Sequence, residues 1–263
     1  MLILLSPAKT LDFETEESLS SVVRRAGTTP DFLQDSAELV ALLKKLSPKR
    51  LGSLMSISDD LAQLNHGRYQ DWTSPMPDSE TRPSVLAFKG DVYLGLRAES
   101  LTDKQLLYAQ DHLRILSGLY GLLRPLDAML PYRLEMGTRL KSKRGADLYE
   151  FWGDTITKAV DRQLEAVGCG FLLNLASNEY FRSVRPKQLG APVISPVFKD
   201  LSNGKYRVIS FFAKKARGTM ARWVIRQRVK TPKKLVQFSD DGYRYDEDSS
   251  TDLKPVFLRD SSE

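Results

Sequence analysis

The residues most able to do chemistry are cations, and they are unevenly placed. Between Leu201 and Ser239 there is no Asp or Glu, whereas Lys205, Arg207, Lys214, Lys215, Arg217, Arg222, Arg226, Arg228, Lys230, Lys233 and Lys234 all fall there. Acid-free clusters of Lys and Arg are the electrostatic footprint of polyanion binding. At about 100° per residue, Ala213, Ala216, Met220, Trp223 and Val224 gather on one arc of a helix over 213–229. Lys214, Lys215, Arg217, Arg222, Arg226 and Arg228 take the other arc with Gly218, whose bare backbone would admit a phosphate. The alternative is an ordinary amphipathic helix with a solvated charged face, though such faces usually mix signs.

A second phosphate-binding candidate lies in the stretch Asp103–Leu130. A helix ending near Leu116 and followed by Ser117, Gly118, Leu119, Tyr120, Gly121 and Arg124 looks like a helix-hairpin-helix, with Arg114 and Arg124 flanking the turn. In that element a glycine-rich turn offers backbone N–H groups at a helix N-terminus to a DNA phosphate without reading the base. This turn is one residue longer than usual, and a glycine cap joining two packed helices is the competing reading.

A third group is suited to catalysis. Lys9 follows the apolar opening Met1–Leu5, and Lys89, Gly90 and Asp91 follow the apolar run Val85–Phe88, so two strand ends each present a lysine. Strand ends of open sheets are common ligand sites, and a desolvated lysine can serve as nucleophile or base. Glu179, with Asn174, Ser177 and Tyr180, and Glu135, next to Tyr132 and Arg133, add groups suited to acid–base work. The spacing of a Walker loop is absent. Asp246, Glu247 and Asp248 are consecutive and cannot all converge from one strand on Mg²⁺. His66 and His112 are not spaced as a metal pair, and Cys169 has no catalytic neighbours in sequence and reads as a small buried residue. No metal or cofactor is expected.

The elements that must position these groups follow from local pattern. Met1–Leu5 predicts a buried first strand, too short for a signal-peptide core or a membrane span. Thr29-Pro30, Ser47-Pro48 and Ser58 predict three helix starts, the last running towards Trp72. Apolar or alternating runs at Val85–Phe88, Phe171–Leu175, Val193–Phe198, Tyr206–Phe212 and Pro255–Leu258 predict strands. This order is not a regular βαβ alternation, so it predicts an α+β fold, a mixed β-sheet surrounded by helices. Thr73–Pro83 is the loosest stretch and reads as one surface loop, leaving a single domain over 1–263. Asp240, Asp241, Asp246, Glu247, Asp248 and Asp252 reverse the charge after the basic segment, as a tail or a lid.

The bulk composition sets the class. The 263 residues are 41% hydrophobic and include three Trp, ten Tyr and eleven Phe, enough for a core without staples. A single cysteine precludes an internal disulfide or a thiolate cluster and predicts a reducing, cytoplasmic setting. The net charge of +6 favours polyanionic partners, with no membrane and no obligate protein partner expected.

Six ordered blocks carry a family resemblance: LSPAKTLDF at the N-terminus, AFKGDVY from Ala87, HLRILSGLYGLLRPLD from His112, PYRLEMG from Pro131, NLASNEYF from Asn174 and FFAKKARGTMARW from Phe211. Together they resemble the YaaA family of peroxide stress resistance proteins, from Met1 to about Ser250. The resemblance implies a cytoplasmic bacterial protein connected with hydrogen peroxide resistance, a distinctive mixed α/β fold, and DNA binding through a basic cleft and a helix-hairpin-helix-like element. Its hairpin falls on Leu116–Arg124 and its basic block on Lys214, Lys215, Arg217 and Arg222. It implies no reaction.

Two functions therefore stand as expectations. The first is a protein that holds duplex or branched DNA through its phosphates under peroxide stress, using Arg114, Gly118, Gly121, Arg124 and the basic helix through Arg226. The second is an enzyme acting on DNA or a nucleobase, of lyase, glycosylase or nuclease type, built from Lys9, Lys89, Asp91 and Glu179. Convergence of Lys9, Lys89 and Glu179 in one concave pocket favours the second; their dispersal ends it. A direct iron- or peroxide-handling role has no ligand set to support it.

Overall fold

A computed structural model describes residues 1–15 and 19–260. Its strands are β1 (Leu2–Leu5), β2 (Thr10–Leu11), β3 (Arg82–Pro83), β4 (Phe88–Lys89), β5 (Leu113–Ser117), β6 (Gly121–Leu123), β7 (Ala128–Met129), β8 (Leu172–Asn174), β9 (Val193–Ile194), β10 (Val197–Ser202), β11 (Lys205–Arg207), β12 (Arg244–Thr251) and β13 (Lys254–Arg259). The helices are α1 (Ser21–Arg25), α2 (Leu33–Leu43), α3 (Pro48–Met55), α4 (Asp59–Asp71), α5 (Ser84–Ala87), α6 (Asp91–Leu96), α7 (Asp103–His112), α8 (Leu148–Trp152), α9 (Thr155–Ala166), α10 (Asn178–Phe181) and α11 (Ser210–Gln227). The fold is mixed α+β.

β1 is buried at every position, as a strand covered on both faces must be. It lies at the centre of a five-stranded sheet of order β6-β5-β1-β8-β9. β5, β1, β8 and β9 run parallel, and β6 returns antiparallel along β5. The chain leaves β1, adds β5 on one side and later adds β8 on the other. The strand order thus reverses beside β1, and the ends of β1 and β8 form a topological switch point, where open α/β sheets leave a crevice.

A four-stranded sheet of order β11-β10-β13-β12 follows in the C-terminal part, and two short ribbons pair β2 with β4 and β3 with β7. One contiguous apolar core runs from Leu2–Leu5 through Trp152 to Phe257. Of the acidic segment after α11, Asp246, Glu247 and Asp248 lie in β12, while Asp240 and Asp241 lie in a short helical turn where Asp241 pairs with Lys215, so the segment is not a tail.

Local chemistry explains the elements. The side chains of Ser47 and Ser58 accept the N–H groups of Arg50 and Leu61, starting α3 and α4 as the sequence predicts. Three predicted strands are corrected: Val193–Phe198 is broken at Ser195 and Pro196 into β9 and the start of β10, which belong to different sheets. Ser84–Ala87 coils into one helical turn, because the Ser84 hydroxyl bonds the Arg124 carbonyl at 2.7 Å, and only Phe88–Lys89 extends. Tyr206–Phe212 is divided between β11 and the first turn of α11, which begins at Ser210.

The helix-hairpin-helix is corrected most deeply. Helix α7 stops at His112, and 113–123 is a β-hairpin with Ser117 opposite Gly121. β5 has an apolar partner on each register position of β1 and is buried throughout, so burial overrides the helical reading of the same residues. The Gly118 carbonyl accepts from the indole of Trp152 at 3.0 Å, and Gly121 adopts φ +69° against the Trp152 ring. Both glycines serve a buried turn and present no backbone to a phosphate.

Candidate functional site

A cavity of about 490 Å³ opens over the switch point, lined by Ser6, Lys9, Lys89, Asp91, Glu135, Ser177, Glu179, Tyr180, Lys214 and Arg217 among others. Lys9, Lys89, Asp91 and Glu179, placed far apart in sequence, share this one concavity. A larger cavity, about 730 Å³, lies between Trp72, Arg24 and Arg82 and contains none of them.

Each wall has a local cause. β1 ends at Leu5, and the Ser6 hydroxyl accepts the N–H of Ser177 at 2.8 Å, which stitches the end of β1 to the turn after β8. Tyr93 is fully buried, so burial raises its pKa and keeps the phenol protonated, and it donates to the Ser6 carbonyl at 3.1 Å. Thr10 pairs with Lys89 across the β2–β4 ribbon, which sets the Lys9 and Lys89 loops side by side. Gly90 packs closely there: a Cβ on it would stand 3.2 Å from that of Ala8.

Lys9 Nζ lies 2.8 Å from Glu135, which also meets Arg133 at 3.2 Å. Lys89 lies 3.7 Å from Asp12, and Lys214 lies 3.8 Å from Asp91. Glu179 accepts the N–H of Gly137 at 3.0 Å. Asp12 is held down to about 2, first by the N–H and hydroxyl of Thr15, so it remains a carboxylate facing Lys89. The cavity therefore carries cations and carboxylates together, a set able to clamp an anion and move protons. Arg217 forms no ion pair or hydrogen bond among the described residues, while burial lowers its pKa.

The basic helix is divided by its packing. Lys214 and Arg217 turn into the cavity. Lys215 pairs with Asp241 at 3.5 Å, and Arg222 donates to the Arg97 carbonyl at 2.9 Å and to Ser100 at 2.7 Å beyond the end of α6. Arg226 is exposed. Gly218 is corrected: it is buried against α6, where its role is close helix approach and phosphate access is closed.

Arg114 and Arg124 lie away from the cavity. Arg114 is 6% exposed, pushed down to about 10 chiefly by burial, and donates to the carbonyls of Gln110 and Leu113 at 2.8 and 2.7 Å. Arg124 is engaged by Asp127 at 3.0 Å and Asp31 at 2.8 Å. Gly118 and Gly121 are buried as well, and none of these four lines the cavity. The sequence reading passed over Ser6 and Asp12; a serine directly after a fully apolar strand was the available signal for the first.

No group of three or more His, Cys, Asp or Glu converges to hold a metal among the described residues. Likewise no helix among them is long and apolar enough to cross a membrane. Cys169 is half-buried, 3.8 Å from His112.

Parallel strands with a polar pocket at their switch point make this a mixed α+β protein with one candidate site over β1 and β8. Its family is shown directly: residues 1–249 match the family described as peroxide stress protein YaaA, and the chain belongs to that family. It is 52% identical over 259 residues to a UPF0246 protein of Aliivibrio fischeri (strain MJ11), covering 98% of each chain. To a UPF0246 protein of Paraburkholderia phytofirmans it is 52% identical over 261 residues, again covering 98% of each. To one of Hahella chejuensis it is 51% identical over 260 residues, with 99% of this chain and 100% of the relative covered.

Proposed function

We propose that this member of a peroxide stress family acts on DNA, or on a nucleobase within it, at the cavity over β1 and β8. The observation that carries this reading is the convergence of Lys9, Lys89, Asp91 and Glu179 on one pocket with Lys214 and Arg217. Pure backbone binding needs positive charge only. Carboxylates held beside lysines at a switch point suit general acid–base or nucleophilic chemistry, and the cations at the rim suit a phosphodiester.

In this reading Lys214 and Arg217 hold phosphate, Lys9 with Glu135 supplies an amine and a base in contact, and Glu179 orients the reacting group. The family's connection with peroxide makes oxidised DNA the first substrate to test. Wild-type protein is incubated with end-labelled duplexes carrying an oxidised base, an abasic site or a mismatch, and products are resolved on denaturing gels. Conversion that Lys9→Ala or Glu179→Gln reduces at least tenfold supports the reading; no conversion of any of these duplexes overturns it.

DNA binding without chemistry is the second reading, favoured by the exposed cations Arg226, Arg228, Lys230 and Lys233 beyond the cavity. It expects affinity for duplex or branched DNA to fall steeply with salt, by anisotropy, and the slope to flatten when these residues become alanine.

A further inference from the structure

We infer that the cavity takes a single nucleotide unit, out of any base stack, with its phosphate on Arg217. This rests on the reading of the cavity as a nucleic-acid site and names the form in which the substrate enters it.

Arg217 is the starting point. Its side chain is partly buried and meets no carboxylate, hydroxyl or carbonyl among the described residues. A half-buried cation without a partner is costly, and a bound anion supplies what the chain withholds. A guanidinium also matches a phosphate bidentately, which an ammonium does not. Lys214, one turn earlier, is held only at 3.8 Å by Asp91 and is available to the same anion.

Another part of the lining is of the other kind. Glu179 and the Ser6–Ser177 pair present acceptors and hydroxyls, which suit the N–H and O–H groups of a base or sugar. Phosphate at one part of the lining and donors at another describe one nucleotide. The volume agrees: about 490 Å³ falls in the range of small-molecule pockets, roughly 300–1,000 Å³, and far below a length of duplex. A stacked duplex keeps the Watson–Crick edges of its bases inside, so those edges reach this lining only after the base leaves the helix. Phe211 lies one turn before Lys214 and is 50% exposed. Beside these cations it offers a face on which the neighbouring base of the strand can stack.

The test uses the full chain in titration calorimetry with dAMP, dGMP, dCMP and dTMP, then with deoxyadenosine and inorganic phosphate as partial ligands. The monophosphates are expected to bind at least tenfold more tightly than deoxyadenosine. Arg217→Ala is expected to lose at least tenfold, Arg217→Lys to retain part, and Lys158→Ala, on the exposed face of α9, to match wild type, with thermal melts showing all three folded. A mismatched duplex carrying 2-aminopurine is expected to brighten on binding wild type and not Arg217→Ala.

Monophosphates that fail to bind, or that bind Arg217→Ala as well as wild type, overturn the inference. If DNA is converted while both nucleotide readouts stay silent, this inference falls and the proposed function stands. If monophosphates bind through Arg217 but DNA is neither bound nor converted, the single-nucleotide site stands and the proposed function falls.

Discussion

Gly218 of α11 lies against Val92 of α6 so closely that a Cβ on it would stand 1.7 Å from the Val92 carbonyl oxygen. The contact is reciprocal, since a Cβ on Gly95 would stand 2.1 Å from the carbonyl of Lys215. Two helices meet backbone to backbone, and the residues flanking that seam, Asp91 on one helix and Lys214 and Arg217 on the other, line the cavity. Gly218→Ala would gain up to about 1 kcal/mol of helix propensity, but the clash is with backbone and cannot be relieved by a rotamer. The expected outcome is a net loss of roughly 3 kcal/mol in urea unfolding. Stability equal to wild type would refute the seam.

Asp12 makes the ribbon that carries Lys89 sensitive to acid. Its folded pKa is about 2, below the ordinary value near 3.9, so the unfolded chain takes up the proton first as pH falls. Its stabilising contribution is therefore complete above about pH 5, shrinks below about pH 4 and is gone below about pH 2. Guanidinium unfolding should find Asp12→Asn less stable than wild type by a constant margin from pH 7 to pH 5, with the margin narrowing at pH 3.5. A margin that widens in acid would contradict the assignment.

The legible parts of this fold were those written in short range. Met1–Leu5 announced β1, Ser47 and Ser58 announced their helices, and the apolar run Pro255–Leu258 announced β13. The region of Leu113–Leu123 misled because its glycines fit two turns equally well, and only its register against β1, more than a hundred residues away, decides for a hairpin. The site was legible as residue types and not as a place. Lys9 and Lys89 were recognisable as strand-end lysines, whereas their adjacency depends on the two-residue β2–β4 ribbon, too short to leave a pattern. Gly218 read as a phosphate contact because sequence shows that a glycine is bare, not which neighbour uses the space.

Asp200 and Arg259 form a buried pair across β10 and β13, with Arg259 Nε donating at 2.6 Å. Tyr243 donates to the same carboxylate at 3.1 Å, and the guanidinium lies 4.7 and 4.6 Å from the ring centres of Phe212 and Tyr243. Removing one partner leaves the other charge buried, so Asp200→Ala is expected to cost about 3–5 kcal/mol. Because Phe212 stands in the first turn of α11, the loss should also weaken monophosphate binding at Arg217. A double variant, Asp200→Leu with Arg259→Met, should recover most of the stability in denaturant titrations; equal instability of single and double variants would mean that the pair is not the cause.

Lys9 and Glu135 test whether the cavity was built for folding or for chemistry. Their ion pair spans 2.8 Å, but the Lys9 side chain is 63% exposed and water screens the attraction. Exposed pairs of this kind contribute about 0–1 kcal/mol. A double-mutant cycle with Lys9→Met and Glu135→Gln should therefore give a coupling below about 1 kcal/mol in stability. The same single variants should lower conversion of damaged DNA at least tenfold, with the effects of the two changes less than multiplicative because they disable one amine–carboxylate unit. Large coupling in stability with unchanged conversion would make the pair a structural brace and move the chemistry to Glu179.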